Sequence, residues 1–213
     1  MMFLPLLMAA PIAAHAANAA YSCPPAREKR AHVQWSHART VVAPNRAWAV
    51  EVRPVLTADE NISPLVLYRC GGKPIVTVMR LSRSADLVWS DDANTLLVID
   101  QAGAESFTVR LFRIGMAGGN VFASERPNVD KGIRTALVQR LGGRAAVQFF
   151  EPVFVAWKGD QLTLGIQGTL SEREPGPMKS YCFTAQVHTA DAPARSVYPL
   201  TLTMGNRASC KGR

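Results

Sequence analysis

Two histidines near the start of the chain, His32 and His37, could bind a metal ion together with Glu28. Imidazole nitrogens and a carboxylate oxygen are ligands that transition metals accept in proteins. The two histidines are five residues apart, a spacing that aligns side chains neither on a strand nor on a helix. The sequence therefore favours the alternative, in which they are exposed polar residues of an N-terminal arm.

A second group could support hydrolysis. His188 and Asp191 could orient a general base for a serine nucleophile, Ser180 or Ser196. The chain has no G-x-S-x-G elbow that would present such a serine, and a half-exposed strand histidine explains His188 equally well. A related hypothesis is a dispersed hydrolytic site assembled from His188, Asp191 and Glu151.

Carboxylates form two further groups. Asp91 and Asp92 are adjacent and Asn94 follows them. A calcium loop needs oxygen ligands at alternating positions, a glycine and a closing glutamate, so this incomplete set predicts turn-forming residues instead. Glu172 and Glu174 lie in a Pro/Gly-containing stretch, without the rigid frame that a glycosidase needs to hold two carboxylates at a fixed distance. We therefore expect no metal and no cofactor.

Four cysteines follow the N-terminal segment: Cys23, Cys70, Cys182 and Cys210. In an exported protein an even number of cysteines predicts disulfides, and four can pair in three ways. Pairing neighbours along the chain gives the shorter loops, but the sequence does not choose among the three. A zinc site is disfavoured because no C-x-x-C pair and no finger-like Cys–His spacing is present.

Residues 1–19 predict a secretory signal peptide. Residues 3–14 are apolar and uncharged, too few to span a bilayer, and both 14–16 and 17–19 fit a small-x-small cleavage pattern. No Lys or Arg precedes the apolar run, so a docked or disordered N-terminus is an alternative, as is a lipid anchor at Cys23. We expect a single β-rich domain over residues 20–213, in the periplasm or secreted, with no transmembrane segment.

The chain of 213 residues has a formal charge of +8. Basic residues cluster in and after one segment: Lys131, Arg134, Arg140 and Arg144. Such a surface attracts anionic partners, and we expect an acidic protein or an anionic envelope component. The alternative is a basic shell that only keeps the protein soluble. Export disfavours nucleic acid as a partner.

The candidate residues must be positioned by strands. Residues 87–100 predict strand, polar turn and strand, and weaker copies of this pattern align at Ala43, Trp89 and Trp157, in steps of 46 and 68 residues. The stretch Trp89-Ser90-Asp91-Asp92 resembles the W-S-P-D-G turn of TolB-like and WD40-like propeller blades, and the resemblance covers about residues 40–205. Closed propellers need 4–8 blades, so three copies imply a partial propeller, or else a β-sandwich or roll.

In one segment the spacing of apolar residues changes from that of a strand to that of a helix. Apolar residues recur along one helical face within 128–141: Val129, Ile133, Ala136, Leu137 and Leu141. Asn128 suits an N-cap and Gly142 suits the end of the helix. The sequence therefore predicts a mainly β fold of antiparallel sheets with one helix near 128–141.

These features together favour an exported, non-enzymatic binding protein with a basic surface. A small envelope hydrolase and a dedicated inhibitor or immunity-type partner of one protein remain the alternatives.

Overall fold

The computed structural model of the chain describes residues 21–25, 28–55, 62–72, 75–104, 106–141, 146–171, 179–190, 200–205 and 210. The described strands and the helix are, in chain order, β1 (Arg30–Gln34), β2 (Arg39–Val42), β3 (Trp48–Val52), β4 (Ser63–Arg69), β5 (Ile75–Leu81), β6 (Ser84–Trp89), β7 (Thr95–Gln101), β8 (Phe107–Ala117), β9 (Asn120–Arg126), α1 (Val129–Arg140), β10 (Ala146–Lys158), β11 (Gln161–Ser171), β12 (Lys179–His188) and β13 (Leu200–Met204).

The strands form three antiparallel sheets. Two are meanders of consecutive strands, and in the central sheet β1 is added beside β6. The first sheet has the order β2-β3-β4-β5, the central sheet β1-β6-β7-β8-β9, and the third sheet β10-β11-β12-β13. The predicted fold class, mainly β with one helix near 128–141, is confirmed. The resemblance of the repeats to propeller blades stays a prediction.

The central sheet is buried on both faces. Six of the seven residues of β7 are buried, and its side chains alternate between two cores as a strand dictates. Leu96 and Val98 pack with the first sheet in one core, which we call the first junction. Leu97 and Ile99 pack with α1 and the third sheet in the other core, the second junction.

The turns of the first two sheets have the same backbone design. Ser90 N donates to Thr95 O and Ala43 N donates to Trp48 O, each at 2.9 Å. Ala93 and Arg46, the matching fourth residues, both have left-handed backbone, with φ of 59° and 55°. Ala43 therefore matches Ser90, which corrects the sequence alignment by one residue.

Helix α1 buries Val129, Ile133 and Leu137, three residues of the predicted apolar face. The prediction of an N-cap is wrong in one respect: Asn128 flanks the helix with a φ of 69°, but its side chain makes no capping hydrogen bond. The side chain of Asp130 instead accepts a hydrogen bond from Val109 N at 3.0 Å, which attaches the helix to β8. The predicted stop at Gly142 lies outside the described residues.

Both disulfides join neighbours along the chain, Cys23 to Cys70 and Cys182 to Cys210. The first holds the N-terminal arm on the first sheet, where the Tyr21 ring lies 4.9 Å from that of Tyr68. The second attaches the buried Cys210 to β12 of the third sheet. None of the described segments forms an apolar helix of membrane-crossing length.

Candidate functional site

Two open clefts lie at the second junction, one at each end of the strands. The turn cleft has a volume of about 450 Å³, in the range of small-ligand sites. Its lining comes from the β6–β7 turn, from β8 and β9, and from the matching end of the third sheet: Ser90, Asp91, Asp92, Asn94, Thr95, Arg113, Arg126, Trp157, Gly159, Asp160, Thr189 and Ala190.

A hydrogen-bond network fixes the central-sheet side of the turn cleft. Ser90 Oγ donates to Asp92 Oδ1 at 2.6 Å, and Asn94 N donates to the same oxygen at 3.1 Å. Burial opposes ionisation of Asp92, but the hydrogen bonds from Ser90 and Asn94 outweigh it and hold the pKa of this carboxyl below its usual value. The carboxylate therefore stays ionised at neutral pH, and the side chain is held in place.

The other two carboxylates of the turn cleft each contact a basic side chain. Asp91 forms an ion pair with Lys29 at 2.6 Å, and Asp160 Oδ2 lies 3.0 Å from His188 Nε2. Arg126 donates to the backbone carbonyl of Thr189, which ties β9 to the end of β12. The cleft thus combines cationic donors and anionic acceptors that their neighbours already orient.

Trp157 is the large apolar residue of the turn cleft and is 6% exposed. Its indole Nε1 is buried and has no hydrogen-bond partner among the described residues. Trp89 occupies the same place in the central sheet, since Trp89 pairs with Leu96 across its turn as Trp157 pairs with Leu162. The Trp89 indole, in contrast, donates to Val41 O of the first sheet at 3.3 Å.

The edge cleft, of about 380 Å³, opens at the other end of the second junction. One carboxylate in it, Asp86, accepts from Arg30 at 3.2 Å and contacts His32 Nδ1 at 2.9 Å. The other, Glu151, accepts from Gln167 at 2.6 Å. These side chains are polar and are held by hydrogen bonds. Among the described contacts, none of them bonds to a serine or other nucleophile.

The structure separates the three residues of the predicted metal group. His32 contacts Asp86, His37 Nδ1 contacts Ser36 Oγ at 2.8 Å, and Glu28 lies 3.8 Å from Arg39. Among the described residues no cluster of three His, Cys, Asp or Glu side chains could hold a metal ion.

The hydrolytic groups are also not assembled. His188 pairs in register with Gln161, whereas Glu151 pairs with Gln167, six residues further along the same strand. This offset corresponds to about 20 Å. Ser180 lies eight residues before His188 on β12, about 26 Å away. Asp191 and Ser196 lie outside the described residues.

The predicted basic surface is divided by the fold. Lys131 and Arg140 are exposed on α1, nine residues or about 14 Å apart along the helix axis. Arg134 is used internally: it pairs with Asp130 at 2.7 Å, donates to Phe107 O at 2.5 Å and lies 4.0 Å from the Phe150 ring centroid. Arg144 lies outside the described residues.

Asp91, Asp92 and Asn94 act as turn residues, as the incomplete calcium pattern predicted. Glu172 and Glu174 lie outside the described residues. Sequence reasoning missed the contact of His32 with Asp86, because it joins strands that are 54 residues apart. The repeat alignment did mark Trp157, but it carried no information on the hydrogen bonding of its indole.

Comparison of the chain with protein-family models, with curated proteins and with solved structures found no match.

Proposed function

We propose that this protein is an exported, non-enzymatic binding protein that acts in the periplasm or outside the cell. The observation that carries the proposal is the turn cleft, where every carboxylate is held by a neighbouring side chain. Such preorganised polar groups lose little conformational entropy when a ligand binds. Two disulfides and the apolar segment at residues 3–14 support an oxidising, exported setting.

The partner we propose is an acidic protein or an anionic envelope component. The formal charge of +8 favours anionic surfaces, and Lys131 and Arg140 are exposed on α1. Arg134 does not contribute directly, because its guanidinium is engaged by Asp130 and Phe107.

The test uses purified protein with both disulfides formed, mixed with phosphatidylglycerol vesicles or with polyglutamate. We expect binding that weakens as salt rises and falls about tenfold in the double variant Lys131→Glu, Arg140→Glu. The control, Arg80→Glu with Arg83→Glu, makes the same charge change at exposed positions away from the helix and should bind more tightly than the helix variant. Equal loss in both variants, or no binding by the native protein, would contradict the proposal.

Export is tested separately by mass spectrometry of the protein recovered outside the cytoplasm. The expected product begins after residue 16 or 19 and carries no free thiols. An intact N-terminus with four reduced cysteines would contradict export.

A further inference from the structure

We propose that the turn cleft binds a neutral saccharide, one of whose hydroxyl oxygens accepts a hydrogen bond from the Trp157 indole. The inference rests on the proposed export, because it assumes that the cleft meets extracellular or envelope glycans. It goes beyond that proposal in naming a ligand chemistry and a site separate from the basic residues of α1.

The first observation is the hydrogen-bond donor of the Trp157 indole, which lacks a partner among the described residues. Trp157 is 94% buried, borders the cleft, and its Nε1 has no acceptor among the described residues. Buried donors in native proteins are almost always paired, and an unpaired one calls for an explanation such as a missing ligand or water. The missing group must be an acceptor, since an indole nitrogen only donates.

The second observation is the charge of the lining. Asp92 stays ionised, and the hydrogen bonds that hold it come from the neutral groups of Ser90 and Asn94. Asp91 and Asp160 add two carboxylates, and the guanidinium groups of Arg113 and Arg126 belong to the same lining. A ligand with a single kind of charge would meet groups of its own sign as well as of the opposite sign, and a cationic ligand would in addition leave the indole without an acceptor.

A hydroxyl group meets both demands, because one oxygen can accept from the indole and donate to a carboxylate. A peptide also carries donors and acceptors, but its side chains would find few apolar surfaces, since Trp157 and Ala190 are the main apolar members of the lining. The lining therefore favours a polyhydroxylated ligand over a peptide.

The indole nitrogen is covered in the unliganded protein, so the proposal requires part of the lining to move when the ligand binds. The two-residue turn at Gly159 and Asp160 lines the cleft just after Trp157 in the chain and is the part to which we assign this movement. Both residues of this turn are exposed. Gly159 has a left-handed backbone with a φ of 57°, and a Cβ at this position would meet no atom within 4 Å, which shows open space around the turn.

The test is a titration of ¹⁵N-labelled protein with neutral trisaccharides built from glucose, galactose, mannose or N-acetylglucosamine. We expect one of them to shift the Trp157 indole N–H signal downfield, with the signal assigned by its loss in Trp157→Phe. Affinity for that sugar should fall about tenfold in Trp157→Phe, which keeps an aromatic ring and removes the donor. Trp89→Phe is the matched control and should bind as the native protein does.

The inference is overturned if no sugar moves the indole signal, if a bound water already satisfies the indole and no sugar displaces it, or if both Phe variants bind the sugar equally. Binding of a neutral or acidic octapeptide at this indole, with no sugar binding, would also overturn it. Failure here with intact binding to anionic vesicles or polyglutamate rejects the saccharide and leaves the proposed function standing. Binding of a sugar at the indole without binding to anionic vesicles or polyglutamate would reject only the anionic partner.

Discussion

At the first junction the Trp89 indole donates to Val41 O, and at the second junction the matching Trp157 indole has no acceptor in the part of the chain that the structure describes. The strand that corresponds to the acceptor position differs between the two junctions. Val41 lies on β2, an edge strand of the first sheet. Val88, the residue that matches Val41, lies on β6 and pairs with Leu97 on one side and Arg30 on the other.

Strand β1 thus covers the edge of β6, whereas β2 stands at the edge of its own sheet. The second junction also contains α1, whose apolar face packs in one core with the central and third sheets. The turn cleft and the edge cleft open at this junction, and a further cleft of about 440 Å³ lies between Ala31 of β1 and strand β2. The comparison teaches that similar strand-turn-strand units can differ in whether the tryptophan before the turn finds an acceptor in the neighbouring sheet, as judged from the described residues.

The largest expected effect is the loss of stability when each of the two tryptophans is replaced by alanine, since their burial differs. Trp89→Ala removes a fully buried side chain and should lower the free energy of unfolding by about 3–5 kcal/mol. Trp157→Ala should cost less, about 2–3 kcal/mol, because water in the turn cleft can enter the space. Guanidinium denaturation with intact disulfides measures both, and a greater loss in Trp157→Ala would reverse the comparison.

The next effect concerns the helix of the second junction. Arg134→Met keeps an apolar side chain over Phe150 but removes the hydrogen bond to Phe107 O and the ion pair with Asp130. We expect a loss of about 1–2 kcal/mol. The control Lys131→Met changes the same charge at an exposed position of α1 and should stay within about 0.5 kcal/mol of the native protein. Equal stabilities would show that Arg134 does not fasten the helix.

A smaller effect on stability should come from Trp→Phe substitutions, which remove the indole nitrogen and keep an aromatic ring. Trp89→Phe loses the hydrogen bond to Val41 O and should destabilise the protein by about 1 kcal/mol beyond the change in ring volume. Trp157→Phe removes a donor that has no partner among the residues described, so its cost should be lower than that of Trp89→Phe. Thermal and chemical denaturation of the two variants side by side provide the measurement. The same cost in both would mean that Trp157 has an acceptor in solution.

The smallest effects are pH-dependent and have opposite signs. On the first-junction face of β7, Asp100 is buried with Oδ1 unpartnered among the described residues. Burial raises the pKa of its carboxyl, with Arg110 opposing the shift. Because the ionised form is disfavoured in the folded state, Asp100 lowers stability once the pH rises above its unfolded pKa of about 3.9. Asp100→Asn should therefore stabilise the protein at pH 7 and have a diminished effect at pH 3.

Asp92 at the turn cleft should behave in the opposite way. Its lowered pKa means that its contribution to stability is present above the unfolded pKa and is lost as the pH falls through the folded pKa. Asp92→Ala should destabilise the protein at pH 7, and the difference should narrow toward acid pH. Unfolding curves at pH 3, 5 and 7 test both aspartates, and parallel behaviour of the two variants would contradict the contrast.

Local patterns along the chain predicted much of this fold. The apolar spacing of Val129, Ile133 and Leu137 predicted α1, and the turn residues around Asp92 predicted the β6–β7 hairpin, because both depend on neighbours in sequence. Pairing of β1 with β6 could not be predicted, since the strands are about 50 residues apart and β1 carries no signal for its partner. The turn cleft depends on that pairing and on the packing of whole sheets.

The two disulfides also determine how the molecule responds to mechanical tension. A force pulling on the two ends of the chain would pass from Cys23 directly to Cys70, and from Cys210 directly to Cys182. The segment that can stretch is then limited to residues 70–182, about 110 residues or roughly 400 Å at full extension. Strands β1 to β4 lie inside the closed Cys23–Cys70 loop. Optical tweezers would therefore extend β5 to β11 and α1, while β1 and most of the first sheet carry no load.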